Sequence, residues 1–382
     1  MAATLKLGNA NWAAKEGSLL AYNDENDNFK PLPFDFTRAS SSTYVASDGL
    51  IKTSTTGQPR IDFLDNTNGA LLLEPQRTNV LTYSEDFSQS FWAKSSVTLT
   101  TGFVSPDGTT NASKLVSTGA DGSMQNSYTV SSGTTYTISV YLKTVSGTLD
   151  TTIGLGSPGF PQNEGTGGRY KNITVTNEWK RYSLTSTADA SAVTGVGFGG
   201  FSGFSTGEEV LIWGIQLEES AYPTSYIPTS GSTVTRVSEV CDNGGNNQVI
   251  NSTEGVLFAD IEFLTFTGGD YLGLNDGSNT QRVLIERSGT SLRGNINSIQ
   301  LTSTLSSLNN KLAIKWKLND FQMYLNGVKV SEITSGGVPS GLDRLEFEIG
   351  GGLGLFFYGK VKQLQVYKTA LSNSELATLT TI

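Results

Sequence analysis

TYTISVYLKT, residues 135–144, alternates apolar and polar side chains, the period-2 pattern of a half-buried β-strand. The same pattern recurs in KRYSL (180–184) and VLIWGIQL (210–217), and the stretches between them are turn-rich: SPDG (105–108), SSG (131–133) and GTGG (165–168). Strands spaced this way predict an antiparallel sandwich over residues 81–230. A second set follows at 257–263, 282–286, 311–318, 321–324 and 359–367, with Asn326-Gly327 as a hairpin signal between two strand candidates. AYPTSYIPTSGSTVTR (221–236) reads as an extended linker, since Pro223 and Pro228 disfavour regular structure. ALSNSELATL (370–379) is the one helix expected, capped by Ser372 or Ser374, with Glu375 suited to its first turn.

Upstream, residues 1–80 hold only short apolar pieces, such as Leu5 with Leu7, 19–22, 34–36, 60–63 and 70–73, broken by polar turns that include 21–29. This part is expected to be a docking segment that orders by packing against something else. The sequence therefore predicts an all-β chain in three parts: an N-terminal docking region (1–80), an antiparallel sandwich (81–230) and a second sandwich (231–382).

Composition narrows the chemistry. A 10% aromatic content with only 16% charged residues suits a folded chain, and the many Ser, Thr, Asn and Gly suit short strands and tight turns. The net charge of −9 argues against a nucleic-acid partner. No apolar run is long enough to insert in a membrane, and the first residues lack the apolar core of a signal peptide. One cysteine, Cys241, excludes an intrachain disulfide, and the absence of histidine removes Ser-His-Asp, Cys-His and His-zinc chemistry.

Three stretches carry a resemblance. FDFTRASSSTYVASDGLI (34–51), PRIDF (59–63) and LLLEPQRTNVLTYSEDFSQSFW (71–92) resemble a module of tailed-phage structural proteins. SPDGTTNASKL (105–115), NEWKRYSL (177–184) and IWGIQLEESAYPTSYIPT (212–229) complete that module, whose jelly roll is similar to carbohydrate-binding modules of the CBM4/9 type. LNDFQMYLNGVKV (318–330) and GKVKQLQVYKTALSNSEL (359–376) resemble concanavalin A-like, laminin-G-type sandwiches. The resemblance implies a virion appendage assembled in the host cytoplasm. Its partners would be other virion proteins, further copies of itself and a host cell-surface glycan. A capsid-decoration protein with no ligand of its own is the alternative.

Pyranose rings are bound by aromatic faces helped by a few planar polar groups. Candidate glycan contacts are Trp92 and Tyr170, with Phe198, Phe201 and Phe204 spaced among glycines; those phenylalanines equally suit a contact with another subunit. Trp179 and Trp213 sit in strand-like runs and read as core. LGLFFY (353–358) reads as a buried strand or a subunit contact. Asp270, Asn275 and Asp276 offer oxygen ligands for calcium in a glycine-rich loop, although no EF-hand spacing is present. Without histidine, hydrolysis needs paired carboxylates. Glu218 and Glu219 fall on opposite strand faces; Glu346 with Glu348 and Asp260 with Glu262 share a face. Concanavalin A-like glucanases use three carboxylates on one strand, and this chain has two at each place, so no enzymatic activity is expected.

Overall fold

A computed structural model describes residues 2–22, 31–200 and 204–382. The expected turn at 21–29 lies largely outside the described residues. Among the described residues the chain is all-β, with antiparallel sheets and one short helix, and it divides into two compact units. The first comprises residues 1–49, 54–75 and 237–382; the second comprises 50–53 and 76–236.

In the first unit, Glu254–Phe263 lies between Asn309–Lys317 and Gly359–Tyr367. Beyond Gly359–Tyr367 the sheet continues through Leu5–Gly8, Ser18–Tyr22 and Pro31–Thr37 to an edge strand, Val240–Asp242. Leu5 pairs with Val366 and Leu7 with Leu364, so residues near the N-terminus supply interior strands. A five-stranded sheet faces it, in the order Ile299–Thr304, Ser291–Ile296, Arg282–Ser288, Gly269–Asn275, Arg344–Glu346. One core fills the space between, with Leu5, Leu19, Phe34, Phe36 and Leu71 packed alongside Leu257, Leu272, Ile285, Ile314 and Val366. Residues 1–75 are therefore not a separate docking body. Their apolar runs are too short to make a core alone, but they complete one that the C-terminal strands begin.

Local signals work as the physics requires. Asn326 and Gly327 adopt φ of 50° and 84°, the left-handed pair that reverses Phe321–Leu325 into Val328–Ile333. The helix Asn373–Leu379 starts at Ser372, whose hydroxyl caps Glu375 N–H while the Glu375 carboxylate returns to Ser372 N–H. Leu376 then packs with Phe258, Tyr324 and Tyr367 on the other face of the large sheet.

The second unit is a sandwich of two five-stranded sheets. One runs Ala93–Ser95, Ser123–Val130, Ala192–Gly199, Leu149–Gly154, Tyr170–Val175; the other runs Val97–Phe103, Ala112–Ser117, Glu209–Glu218, Thr135–Lys143, Lys180–Thr187. Met124, Ile153 and Val196 from the first meet Leu115, Ile138, Leu184 and Ile212 from the second. Thr135–Lys143 is interior and buried on both faces: Thr137 and Ser139, on its outward side, are 0% exposed. Residues 221–236, expected as a linker, cover that side. Tyr226 packs tilted against Trp213 at 4.5 Å between centroids. Ile227 N–H donates to Gln216 Oε1 at 2.6 Å, and Thr224 N–H donates to the buried Glu218 carboxylate at 3.0 Å. Pro223 and Pro228 keep the segment extended, and its Tyr, Ile and Thr side chains are what it buries.

A buried charge network in the first unit ties down the points where the chain leaves for the second unit and returns. Glu239 accepts from Arg60 Nε at 2.8 Å and Nη2 at 2.5 Å, and from Arg38 Nη1 at 2.7 Å. Arg60 also reaches Glu74 at 2.9 Å and Thr43 O at 2.7 Å, while Arg38 donates to Ser40 O and Thr55 O. Glu74 N–H donates to Glu239 Oε2, and Glu239 N–H to Glu74 O. Burial opposes the Arg60 charge, but Glu239 and Glu74 outweigh it and raise its pKa. Within the second unit, Arg77–Asn79 and Val234–Arg236 pair antiparallel and bring that unit's two ends together.

Glu239→Gln leaves two buried guanidiniums short of a charge and should cost the first unit about 3–5 kcal/mol, read as a lowered midpoint in urea denaturation. Joining residue 75 to 237 through a short Gly-Ser linker should leave the first unit folded, and residues 76–236 alone should fold with a cooperative melt by circular dichroism. Deleting residues 1–78 should abolish the first unit's transition and spare the second's.

Candidate functional site

The glycan-contact candidates separate by burial. Trp92 is 2% exposed, packs edge-on against Phe87 and Phe91, and donates its indole N–H to Tyr83 O at 2.9 Å. Phe198 and Phe204 are 0% exposed and meet each other edge-to-face at 5.3 Å. None of these three rings offers a face to a sugar; the glycines around them let strands approach closely instead, as at Gly197, where an added Cβ would lie 2.2 Å from Met124 O. Phe201 lies outside the described residues. Tyr170 is half-buried at the start of an edge strand, and Trp179, expected in the core, is half-exposed with its indole N–H on Val104 O. Trp213 is core.

The calcium candidates do not converge. Asp270 accepts from Arg287 Nε at 2.6 Å and from Tyr358 N–H. Asn275 donates to Glu346 at 2.7 Å, and Asp276 caps the turn at Ser278. Among the described residues no group of three or more Asp, Glu, Cys or His side chains is arranged for a metal. The residues 353–358 form no buried strand: Leu353 and Leu355 are 54% and 42% exposed beyond a run of left-handed glycines, while Phe357 is buried and Tyr358 packs against the core.

Of the carboxylate pairs, Asp260 and Glu262 each face a lysine, Lys311 at 4.0 Å and Lys362 at 3.5 Å. Glu218 is buried beneath Thr224 and Glu219 is exposed. Glu346 and Glu348 are both buried and share their surroundings with Asp242, an acid that carries no local motif. Burial, then Glu348 and Glu346, push Asp242 up to about 7. Burial also raises Glu346, with Glu348 adding to it and the Asn275 hydrogen bond opposing it.

The first unit also has an open cleft of about 630 Å³, formed by residues 247, 248, 250–252, 341–343 and 368–369. Its apolar floor is Ile250 and Leu342, both nearly fully buried. Asn247, Gln248 and Thr369 stand exposed on its rim. Asn251 Nδ2 donates to Lys368 O and Ser252 Oγ accepts from Leu342 N–H, which fixes the three segments together. Sequence reasoning missed the cleft because its segments are far apart along the chain and none has a binding motif.

No protein-family model matches the sequence, and no curated protein matches it. Among solved structures, the chain is similar to the Ruminococcus gnavus IT-sialidase CBM40 bound to α2,3-sialyllactose, at 14% identity and a TM-score of 0.31, over 37% of this chain and 94% of that one. The same module bound to α2,6-sialyllactose gives 14% and 0.31 over 36% and 93%. The leech intramolecular trans-sialidase complexed with 2,7-anhydro-Neu5Ac gives 15% and 0.30 over 37% of this chain and 26% of that one, so this chain spans about a quarter of that enzyme.

Proposed function

We propose that this chain is a non-catalytic glycan-binding structural protein of a tailed-phage particle, displayed for adhesion to the host surface. The observation that carries the binding reading is the cleft in the first unit: an open concavity whose rim presents exposed amides and a hydroxyl to the hydroxyl groups of a sugar. The particle reading rests on the sequence resemblance of residues 34–92 and 105–229. Arg38, Arg60 and Glu74 of the first stretch build the buried network, so that motif has a structural reason. The exposed Leu353 and Leu355 are the patch through which copies of the chain would meet. Residues 1–75 would serve attachment through the exposed faces of their strands.

A glycan array probed with the full-length protein tests the binding reading. Binding to a host-surface saccharide is expected, and Asn247→Ala with Gln248→Ala should weaken it about tenfold, since each lost hydrogen bond is worth about 0.5–1.5 kcal/mol. Retention on no glycan, or full affinity in the double variant, overturns the site. Incubation with the same saccharides should release no reducing ends; release that Glu346→Gln or Glu348→Gln abolishes would make the protein a hydrolase.

A further inference from the structure

The edge strand Val240–Asp242 closes the first unit by bridging its two sheets. On one side Cys241 is in register with Phe36 and Asp242 with Asp35, both of the large sheet. On the other, Phe347 N–H donates to Cys241 O at 3.2 Å, and Gly244 and Leu345 exchange hydrogen bonds at 2.9 and 2.7 Å. So few backbone bonds make this closure sensitive to what its side chains do.

Three further carboxylates surround the one that this strand carries, Asp242. Asp35 and Asp242 stand directly opposite, a like-charge cross-strand pair that costs stability when both are ionised. Glu346 and Glu348 face Asp242 from the opposing strand and its continuation. Compensation is partial: Asn243 donates to Asp35 at 2.9 Å, Asn275 to Glu346 and Gly352 N–H to Glu348, while Arg344 pairs with Asp343. Asp242 Oδ1 is buried and has no hydrogen-bond partner among the described residues. Glu239 lies three residues before it but is held by Arg38 and Arg60.

We propose that this closure is a proton-operated latch: protonation of Asp242 holds Val240–Asp242 against both sheets, and its ionisation beside Asp35, Glu346 and Glu348 loosens the strand and the 347–357 hairpin that carries Leu353 and Leu355. Glu348 belongs to that hairpin, where it bridges to Phe356 and Ile349 N–H donates to Leu355 O, so repulsion at Asp242 acts on the exposed apolar tip. The sign follows from linkage. The closed state holds the Asp242 proton up to about pH 7, whereas an opened strand returns the group to the ordinary aspartate range near 4. The closed state therefore binds the extra proton between those values, and the latch weakens as pH rises from about 4 through about 7.

Cys241 reports the opening, because it is the chain's single cysteine, is 1% exposed and sits in the latch strand. Burial, with Asp242, Glu239 and Asp35 adding to it, pushes its thiol pKa well up while the strand is closed. The labelling rate of the full-length protein with 4,4′-dithiodipyridine would be measured at pH 5 and pH 8, each normalised to the urea-unfolded chain at that pH. The wild type should show at least about a tenfold rise from pH 5 to pH 8, absent from Asp242→Asn. Asp35→Asn keeps Asp242 and removes one facing charge, so it should shrink the rise without abolishing it, which covers the case of an unfolded Asp242→Asn. No rise in the wild type, or an equal rise in Asp242→Asn, overturns the latch; so does an undiminished rise in Asp35→Asn.

Discussion

Two guanidiniums sharing one carboxylate in a dry interior is the constraint around which the first unit is arranged. Arg38, Arg60 and Glu239 are all but inaccessible to water, and a charge buried without its partner costs several kcal/mol. The folded unit therefore has to hold Glu239 between the two arginines and Glu74 beside Arg60. These residues come from positions 38, 60, 74 and 239, with residues 76–236 of the second unit intervening between the last two. The network thus fixes the topology as well as adding polar contacts. It specifies that the chain's return after the insertion lies beside its departure, and the antiparallel stem Arg77–Asn79 with Val234–Arg236 meets the same requirement from within the second unit.

The strands were legible because alternation is local: a segment such as 135–144 shows its two faces in its own residues. Asn326-Gly327 and Ser372 with Glu375 were legible for the same reason, since a turn and a cap are written within four residues. What decided the architecture was not local. The strand Leu5–Gly8 looked too weak to matter because its partner, Gly359–Tyr367, lies at the far end of the chain. Arg38, Arg60 and Glu74 stood inside recognised motifs, but only three-dimensional proximity to Glu239 turns them into a network. Residues 221–236 read as a linker because prolines announce extension without saying whether the extended chain packs.

The candidate site followed the same division. An aromatic residue in a glycine-rich stretch fits an exposed loop or a close-packed strand equally well. Phe198 and Phe204 took the second option because glycines let neighbouring backbones close around them. Asp270 and Asn275 had the right donor chemistry for a cation, yet each was already committed, one to Arg287 and the other to Glu346. Glu346 and Glu348 were visible as a pair, whereas Asp242, which makes their surroundings unusual, is a single acid in a short edge strand. The cleft beside Ile250 and Leu342 has no sequence signature because three separate segments form it.

The pairing of strands across nearly the full chain has a consequence for synthesis. Thr4 hydrogen-bonds Val366 across 362 positions, so during synthesis this pairing waits until its much later partner has emerged. Residues 76–236 have their partners far sooner and can complete a domain while Leu5–Gly8 and Ala70–Leu73 still lack Gly359–Tyr367. Loop-closure entropy and contact order make such long-range sheets slow to form, and open strand edges invite association with neighbouring chains. The inserted sandwich, folded first, shortens the effective loop that the first unit has to close, because its two ends already lie side by side.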